Sequence, residues 1–320
     1  MRERSSIPQS TELLHAGGRD LWSRSLDADD RVLVLGASGW FGRTAVALLA
    51  GVRCPTLLIA SARKQIAVGG VQALCEPWDE RAVRTFAPTV VLDFAFLTRD
   101  VVASMPLAGY VAANEALTAK LLAAASLPTV RRVLTVSSGA AVYPDDALLH
   151  PMDANPYGWL KRRAEDALAE LAGSRSLSAV VARAWSVSGA FVQKPASYAL
   201  SDMITQATRG AIHIRATRPV YRRYVSVEDL LAVALASATA PGARVIDSGG
   251  PLLEMSELAA VVASVVNPSA TITRADTDDG EPDTYYAAID SWESACRASS
   301  FVPNDIEGQI AIADAGLRGR

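Results

Sequence analysis

RVLVLGASGWFGRTAVALLAG, residues 31–51, joins a short apolar run to a helix-like segment through a turn carrying Gly36, Gly39 and Gly42. An apolar run ended by glycine suits a buried strand, and GRTAVALLAG has the length of a first crossover helix. The alternation then continues along the chain. TLLIAS, GVQALC, TVVLDFAF, RRVLTVSS and SAVVARAW read as strand candidates, with DERAVRTFA, the run from Val101 to Ala125 and YGWLKRRAEDALAELAG as helices among them. Strand and helix in alternation predict an α/β fold, a Rossmann-like doubly wound parallel sheet covered on both faces. After about residue 185 the rhythm loosens, although RRYVSVEDLLAVALASA still reads as a strand running into a helix and ARVIDSGG as one more strand.

The 320 residues, half of them apolar, suffice for a sizeable core. With 31 basic and 34 acidic residues the formal net charge is −3, which gives no general attraction for nucleic acid or an anionic membrane. Cys54, Cys75 and Cys296 are odd in number and far apart, so neither a disulfide framework nor a zinc knuckle is expected. His15, His150 and His213 show no ligand spacing, and no metal site is expected. Residues 1–29 read as a polar extension with at most one short helix, without the apolar centre of a signal peptide. A cytoplasmic protein is the expectation.

The glycine turn lies between the first strand and the first helix. There the chain needs a tight turn, a pyrophosphate needs close backbone approach, and the helix amino terminus offers N–H groups and a positive dipole end. Gly36, Ser38, Gly39, Trp40, Phe41 and Gly42 are thus candidates for holding a dinucleotide, though the glycine spacing differs by one residue from the usual fingerprint. A plain strand-to-helix turn would also use glycine. Where an acidic residue would grip the ribose of NAD, the second strand instead ends in IASARKQ. Ser61, Arg63 and Lys64 suit a 2′-phosphate better than a neutral ribose, which favours NADP with NAD as the alternative. Otherwise the two cations only solvate a loop.

In YGWLK, Tyr157 and Lys161 are one helical turn apart and share a face. Hydride transfer at a carbon bearing oxygen requires a proton moved on that oxygen. A phenol can serve if a nearby cation tunes its pKa, and Ser137 and Ser138 at the end of RRVLTVSS could orient that oxygen. Spacing alone would equally fit the first turn of a solvated helix.

Taken in order, GASGWFG, SSGAAVY, YGWLK, ARAWSVSGA and RRYVSVEDL resemble the motifs of the extended short-chain dehydrogenase/reductases, in the NAD(P)-dependent nucleotide-sugar epimerase/dehydratase family. The likeness runs from about residue 31 to the carboxyl terminus. It implies a cofactor-binding Rossmann domain from residues 30–184 and about 222–250, and a smaller α/β substrate domain from about 185–221 and 251–320. It implies Tyr157 as acid/base and Ser138 on the reacting oxygen. Lys161 would hold the nicotinamide ribose and depress the tyrosine pKa. Ala95, Phe96 and Leu97 match the segment along the cofactor, Asn114 a structural asparagine, and Arg222 a phosphate-binding arginine. A nucleotide-sugar substrate and a homodimer built on the long helix and the YGWLK helix are further implications.

The chain departs from the family pattern in several places. The usual hydroxyl, four residues before Tyr143, falls on Gly139, which leaves Ser138 first and Ser137 second. Glu76 matches an acid that contacts adenine, but Pro77 follows it where an N–H normally points at the ring, and proline has none. Ser186 replaces a frequent asparagine of the substrate site and Ser226 a frequent histidine. Finally, Ser138, Gly139, Ala140 and Ala141 lack the acids of the 4,6-dehydratases, so elimination of water is not expected. Hydride chemistry remains: reduction of a keto-deoxysugar first, 4-epimerisation with a retained cofactor next, and a non-catalytic NAD(P)-binding regulator last.

Overall fold

The computed structural model describes residues 13–275 and 280–319. The chain begins with α1 (Ala16–Arg24), followed by β1 (Val32–Leu35), α2 (Trp40–Leu49) and β2 (Thr56–Ile59). A hairpin of β3 (Lys64–Val68) and β4 (Val71–Cys75) precedes α3 (Glu80–Phe86) and β5 (Val90–Asp93). Then come α4 (Leu107–Ala125), β6 (Arg132–Ser138), α5 (Pro156–Gly173) and β7 (Ser178–Ala184). The remainder comprises β8 (Ser186–Ser188), α6 (Ala199–Ala207), β9 (Ala211–Ile214), β10 (Tyr221–Ser226), α7 (Val227–Ala236) and β11 (Gly242–Asp247). It closes with β12 (Leu252–Glu254), α8 (Met255–Val266), β13 (Thr271–Arg274), α9 (Asp290–Ala298) and α10 (Ile306–Arg318).

Six strands form one parallel sheet in the order β11-β7-β6-β5-β1-β2. β1 and β5 are buried along their whole length, as strands covered on both faces must be. Their side chains alternate between two cores: Val32 and Val34 pack with residues of α1, α2 and α7, while Leu33 and Leu35 pack with residues of α4 and α5. From β1 the chain runs to β2 on one side, then returns to β5 on the other. That reversal leaves a crevice at the carboxyl ends of β1 and β5, where ligands of open α/β sheets bind.

Two local differences from the sequence reading have simple causes. Lys64 does not sit in a loop but opens β3, because Gly69 (φ 50°) and Gly70 (φ 85°) make a two-residue hairpin turn between Val68 and Val71. Only Glu76 continues the main sheet, its N–H and C=O bonding Leu58 and Ala60. In the stretch before residue 30, Leu13, Leu14, Leu21, Trp22 and Leu26 are buried in the main core rather than solvated. His15 Nδ1 lies 2.9 Å from the buried Asp229 carboxylate of α7, which ties this segment down. Beside Asp229, Glu228 is also buried, and its carboxyl oxygens have no hydrogen-bond partner.

A separate apolar cluster joins α6, β9, α8 and α10 through Ile204, Ile212, Leu258 and Ile310. Around it lie the three-stranded β12-β10-β8 and two-stranded β13-β9 sheets. These elements form a second, smaller α/β unit to which β10 contributes, although its residues were expected in the cofactor domain, and a cleft opens beside it.

Candidate active site

The glycine turn shows a different reason for each glycine. Gly36 has φ 76°, and a Cβ there would stand 2.7 Å from the Ala95 nitrogen. A Cβ on Gly42 would stand 2.2 Å from the Gly36 carbonyl oxygen, so α2 packs directly on the turn. At Gly39 the nearest atom would be 3.5 Å away, so packing does not forbid a side chain; the bare backbone leaves room for a ligand. Gly39 is also the N-cap of α2 and has no side chain to satisfy the first-turn N–H groups. Trp40 and Phe41 face inward, Trp40 edge-on to Tyr198 at 4.9 Å and Phe41 against Phe94 at 6.5 Å. The Ser38 carbonyl accepts from Arg43 Nε at 3.1 Å.

At the end of β2, Ser61, Arg63 and Lys64 are exposed, and Arg63 Nε lies 3.5 Å from Glu76 Oε1. Two expected cofactor residues thus meet each other. Across the crevice, the strip Ala95, Phe96 and Leu97 is clasped by α4: Leu97 N–H donates to Asn114 Oδ1 at 2.8 Å, and Tyr110 OH donates to the Leu97 carbonyl at 2.7 Å. Asn114 is fully buried, in keeping with a positioning role for its amide.

Asn155 starts α5 by accepting from Gly158 N–H at 3.0 Å, and Pro156 occupies the first turn, where its missing N–H costs nothing. This cap aims Tyr157 and Lys161 at the end of β6. Lys161 Nζ donates to the Val136 carbonyl at 2.7 Å and sits 3.8 Å from the centre of the Phe96 ring. Burial lowers its pKa to about 8, against the opposing pull of Asp93 and Glu165. Tyr157 meets Phe96 edge-on at 5.8 Å. Burial raises its pKa above the ordinary phenol value, and a hydrogen bond with Ser138 works the other way. Burial, rather than the depression expected from Lys161, sets the direction of the shift.

Ser138 Oγ accepts from Ala140 N–H at 3.2 Å and lies 3.4 Å from Tyr285 OH. Strand alternation turns Ser137 to the opposite face, where its hydroxyl is buried without a partner. Of the two serines, β6 brings Ser138 to Tyr157. Gly139 lies under Trp185: a Cβ there would be 2.4 Å from the indole Cδ2. Trp185 is fixed in turn by Nε1 donating to Asp247 Oδ1 at 2.8 Å and by its backbone N–H donating to Ser248 Oγ at 3.0 Å.

A cleft of about 450 Å³ is lined by Trp185, Ser186, Arg222 and Tyr285 among others. Arg222 Nη1 lies 2.8 Å from Asp283 Oδ1 and donates to the Asp283 carbonyl at 3.1 Å. The arginine expected to meet a phosphate is therefore ion-paired. Arg215 is likewise 2.9 Å from Asp202. Ser226 does not face the cleft; it caps α7, accepting from Asp229 N–H at 3.2 Å. Pro77 directly follows Glu76, whose N–H is already spent on Leu58.

Three residues of the site carried no role in the sequence reading. Asp93, buried at the end of β5, accepts from Thr135 Oγ1 at 2.8 Å and from Ala95 N–H at 3.2 Å. Burial raises its pKa, and Lys161 pulls it back. A carboxylate inside an apolar strand was the available signal, because a buried charge demands partners. Trp185 and Tyr285 gave none, since only the tertiary fold brings them to β6. Among the described residues no His, Cys, Asp and Glu cluster could hold a metal, and no helix is long and apolar enough to cross a membrane.

A family model described as the NAD dependent epimerase/dehydratase family matches residues 32–247. No curated protein matches the chain by sequence. Among solved structures, UDP-glucose 4-epimerase of Thermotoga maritima with UDP-glucose is similar at 18% identity and a TM-score of 0.69, covering 90% of this chain and 98% of its own. UDP-glucose 4-epimerase of Thermus thermophilus in complex with NAD matches at 21% identity and TM-score 0.69, over 90% and 99% of the two chains. RMD from Pseudomonas aeruginosa complexed with NADPH matches at 20% identity and TM-score 0.68, over 90% and 99%.

Proposed function

The chain belongs to the NAD dependent epimerase/dehydratase family, and from that premise we propose that it is an NAD(P)-dependent oxidoreductase reducing a keto-deoxysugar carried on a nucleotide. The crevice suits a nicotinamide dinucleotide: Gly39 leaves the backbone open at the amino terminus of α2, and the strip from Ala95 to Leu97 forms the opposite wall. When bound, that cofactor supplies the hydride. Arg63 and Lys64 favour a 2′-phosphate, which would draw Arg63 away from Glu76.

Tyr157 is the proton donor of this reading, and the observation that carries it is its place beside Ser138 at the end of β6, with Lys161 one turn further along the same face of α5. A buried phenol holds its proton at neutral pH and so has one to give. Ser138 positions the carbonyl oxygen beside it, Asp93 holds the Ala95 strip, and Lys161 presents an ammonium to the ribose. Arg222, released from Asp283, would take a phosphate of the nucleotide. The stretch Ser138 to Ala141 offers no carboxyl group for dehydration.

The second reading, a nucleotide-sugar 4-epimerase with retained cofactor, is favoured by the Arg63–Glu76 pair, which as it stands neutralises the cation meant for a 2′-phosphate. A homodimer is proposed through α4, whose outward face exposes Ala108, Ala112, Ala116, Ala119 and Ala123.

The test is incubation with NADPH and a panel of nucleotide-linked 4-keto sugars and hexoses, read by mass spectrometry. Gain of two hydrogen atoms with NADPH consumed supports the reductase. An isomer of unchanged mass means the epimerase, and loss of water contradicts both.

A further inference from the structure

The hydroxyl near Ser138 comes from a segment remote in sequence. We propose that Tyr285, on the stretch between β13 and α9, donates a hydrogen bond to the reacting oxygen of the substrate, beside Ser138 and in place of the side chain that residue 139 lacks. The inference rests on the reading of Tyr157 as acid.

Several independent contacts hold the phenol there. Its oxygen is 3.4 Å from Ser138 Oγ, and the Ala140 N–H that bonds Ser138 is also directed at it. Its ring packs against Trp185 at 4.8 Å and edge-on to Tyr143 at 5.2 Å, with the Arg222 guanidinium 5.6 Å from its centre. The backbone just before it is fastened at Asp283, which accepts from Tyr221 N–H at 2.8 Å and donates to the Pro219 carbonyl at 2.9 Å. A hydroxyl so placed needs no reorganisation when charge develops on the oxygen.

The same ring system explains why the hydroxyl arrives from outside. Trp185 covers Gly139 so closely that no side chain fits, and Trp185 is also the ring on which Tyr285 rests. One indole removes a hydroxyl position just after β6 and seats another from the distant segment. Tyr285 also lines the cleft, with Arg222 beside it. Burial raises its pKa, so it donates rather than ionises at neutral pH.

With the hydride that a bound reduced nicotinamide would supply to the carbonyl carbon, the electron pair of the carbonyl π bond would pass to oxygen, which would take the proton of Tyr157; solvent would then restore that proton. Tyr285 transfers nothing and stabilises the oxygen while its charge grows.

The experiment compares wild type, Tyr285→Phe and Tyr157→Phe on UDP- and dTDP-linked 4-keto-6-deoxyglucose, following NADPH oxidation and NADPH binding by fluorescence. Tyr285→Phe keeps the ring; kcat is expected to fall about 100-fold with NADPH affinity unchanged. If Tyr285→Phe keeps kcat within a few-fold of wild type while Tyr157→Phe is inactive, the role of Tyr285 is wrong and the functional reading stands. If Tyr157→Phe is as active as wild type, or wild type turns over neither sugar, the functional reading fails and takes this one with it.

Discussion

Trp185 and Gly139 fit together as plane and gap: a Cβ on Gly139 would enter the indole at 2.4 Å from Cδ2. Gly139→Ser must therefore displace the ring, and the hydrogen bond of its Nε1 to Asp247 with it. The expected cost is about 1–3 kcal/mol, the usual penalty of overpacking. Urea denaturation measures it, and Trp185→Ala in the same chain should absorb most of the Gly139→Ser effect in a double-mutant cycle.

Tyr157→Phe removes one oxygen and keeps the ring that meets Phe96. Turnover should fall by about 10²–10⁴-fold while NADPH still binds. Unchanged activity in a steady-state assay would exclude Tyr157 as the acid.

Under the proposed function, the Arg63–Glu76 pair would make cofactor choice adjustable from either side. Glu76→Gln should strengthen NADPH binding relative to NADH, because it frees the guanidinium for a phosphate. Arg63→Ala should weaken NADPH by about tenfold, the worth of one charge-assisted hydrogen bond. Fluorescence titration with both cofactors decides, and a wild-type preference for NADH would overturn the phosphate role of Arg63 and Lys64.

Lys161 is buried with its pKa lowered to about 8 from 10.5. Between these values the unfolded chain binds the proton that the folded chain has released, so this group makes stability rise with pH across that window. Lys161→Met removes the titration. The stability of wild type relative to Lys161→Met should therefore increase from pH 8 to 10.5, by about 3 kcal/mol at most, as read by chemical denaturation at several pH values.

Glu228 has the opposite sign. Burial raises its pKa from 4.5 to about 8, so the stability it contributes as a neutral acid is complete below 4.5 and is lost as pH rises through about 8. Glu228→Gln keeps the shape without the charge. It should match wild type at pH 5 and exceed it at pH 9 in thermal unfolding; a constant difference across that range would show that Glu228 is ionised throughout.

The sheet and the ends of the site could be read from local sequence because each depends on neighbours in the chain. Gly36, Gly39 and Gly42 mark a turn, and Tyr157 and Lys161 share a helical face by spacing alone. The family pattern alone ranks Ser138 ahead of Ser137; the strand adds a physical reason by turning Ser137 to the opposite face. The pairings Arg63–Glu76, Arg222–Asp283 and Ser138–Tyr285 join residues from different elements. No periodicity reports such contacts, since the intervening chain sets them through topology. The buried stretch from Leu13 to Leu26 was missed for a related reason: its apolar residues are few, and a partner surface on α7 decides their burial.

Leu97 lies outside any strand or helix, yet both its backbone polar groups are bonded to side chains of α4, through Asn114 and Tyr110 one turn apart. It consequently belongs to the helix in every sense but conformation. Its amide can exchange with solvent deuterium only when α4 itself shifts or opens, so it should remain protected long after the exposed loops have exchanged. An irregular strip beside the cofactor crevice thereby acquires the lifetime of a helix interior.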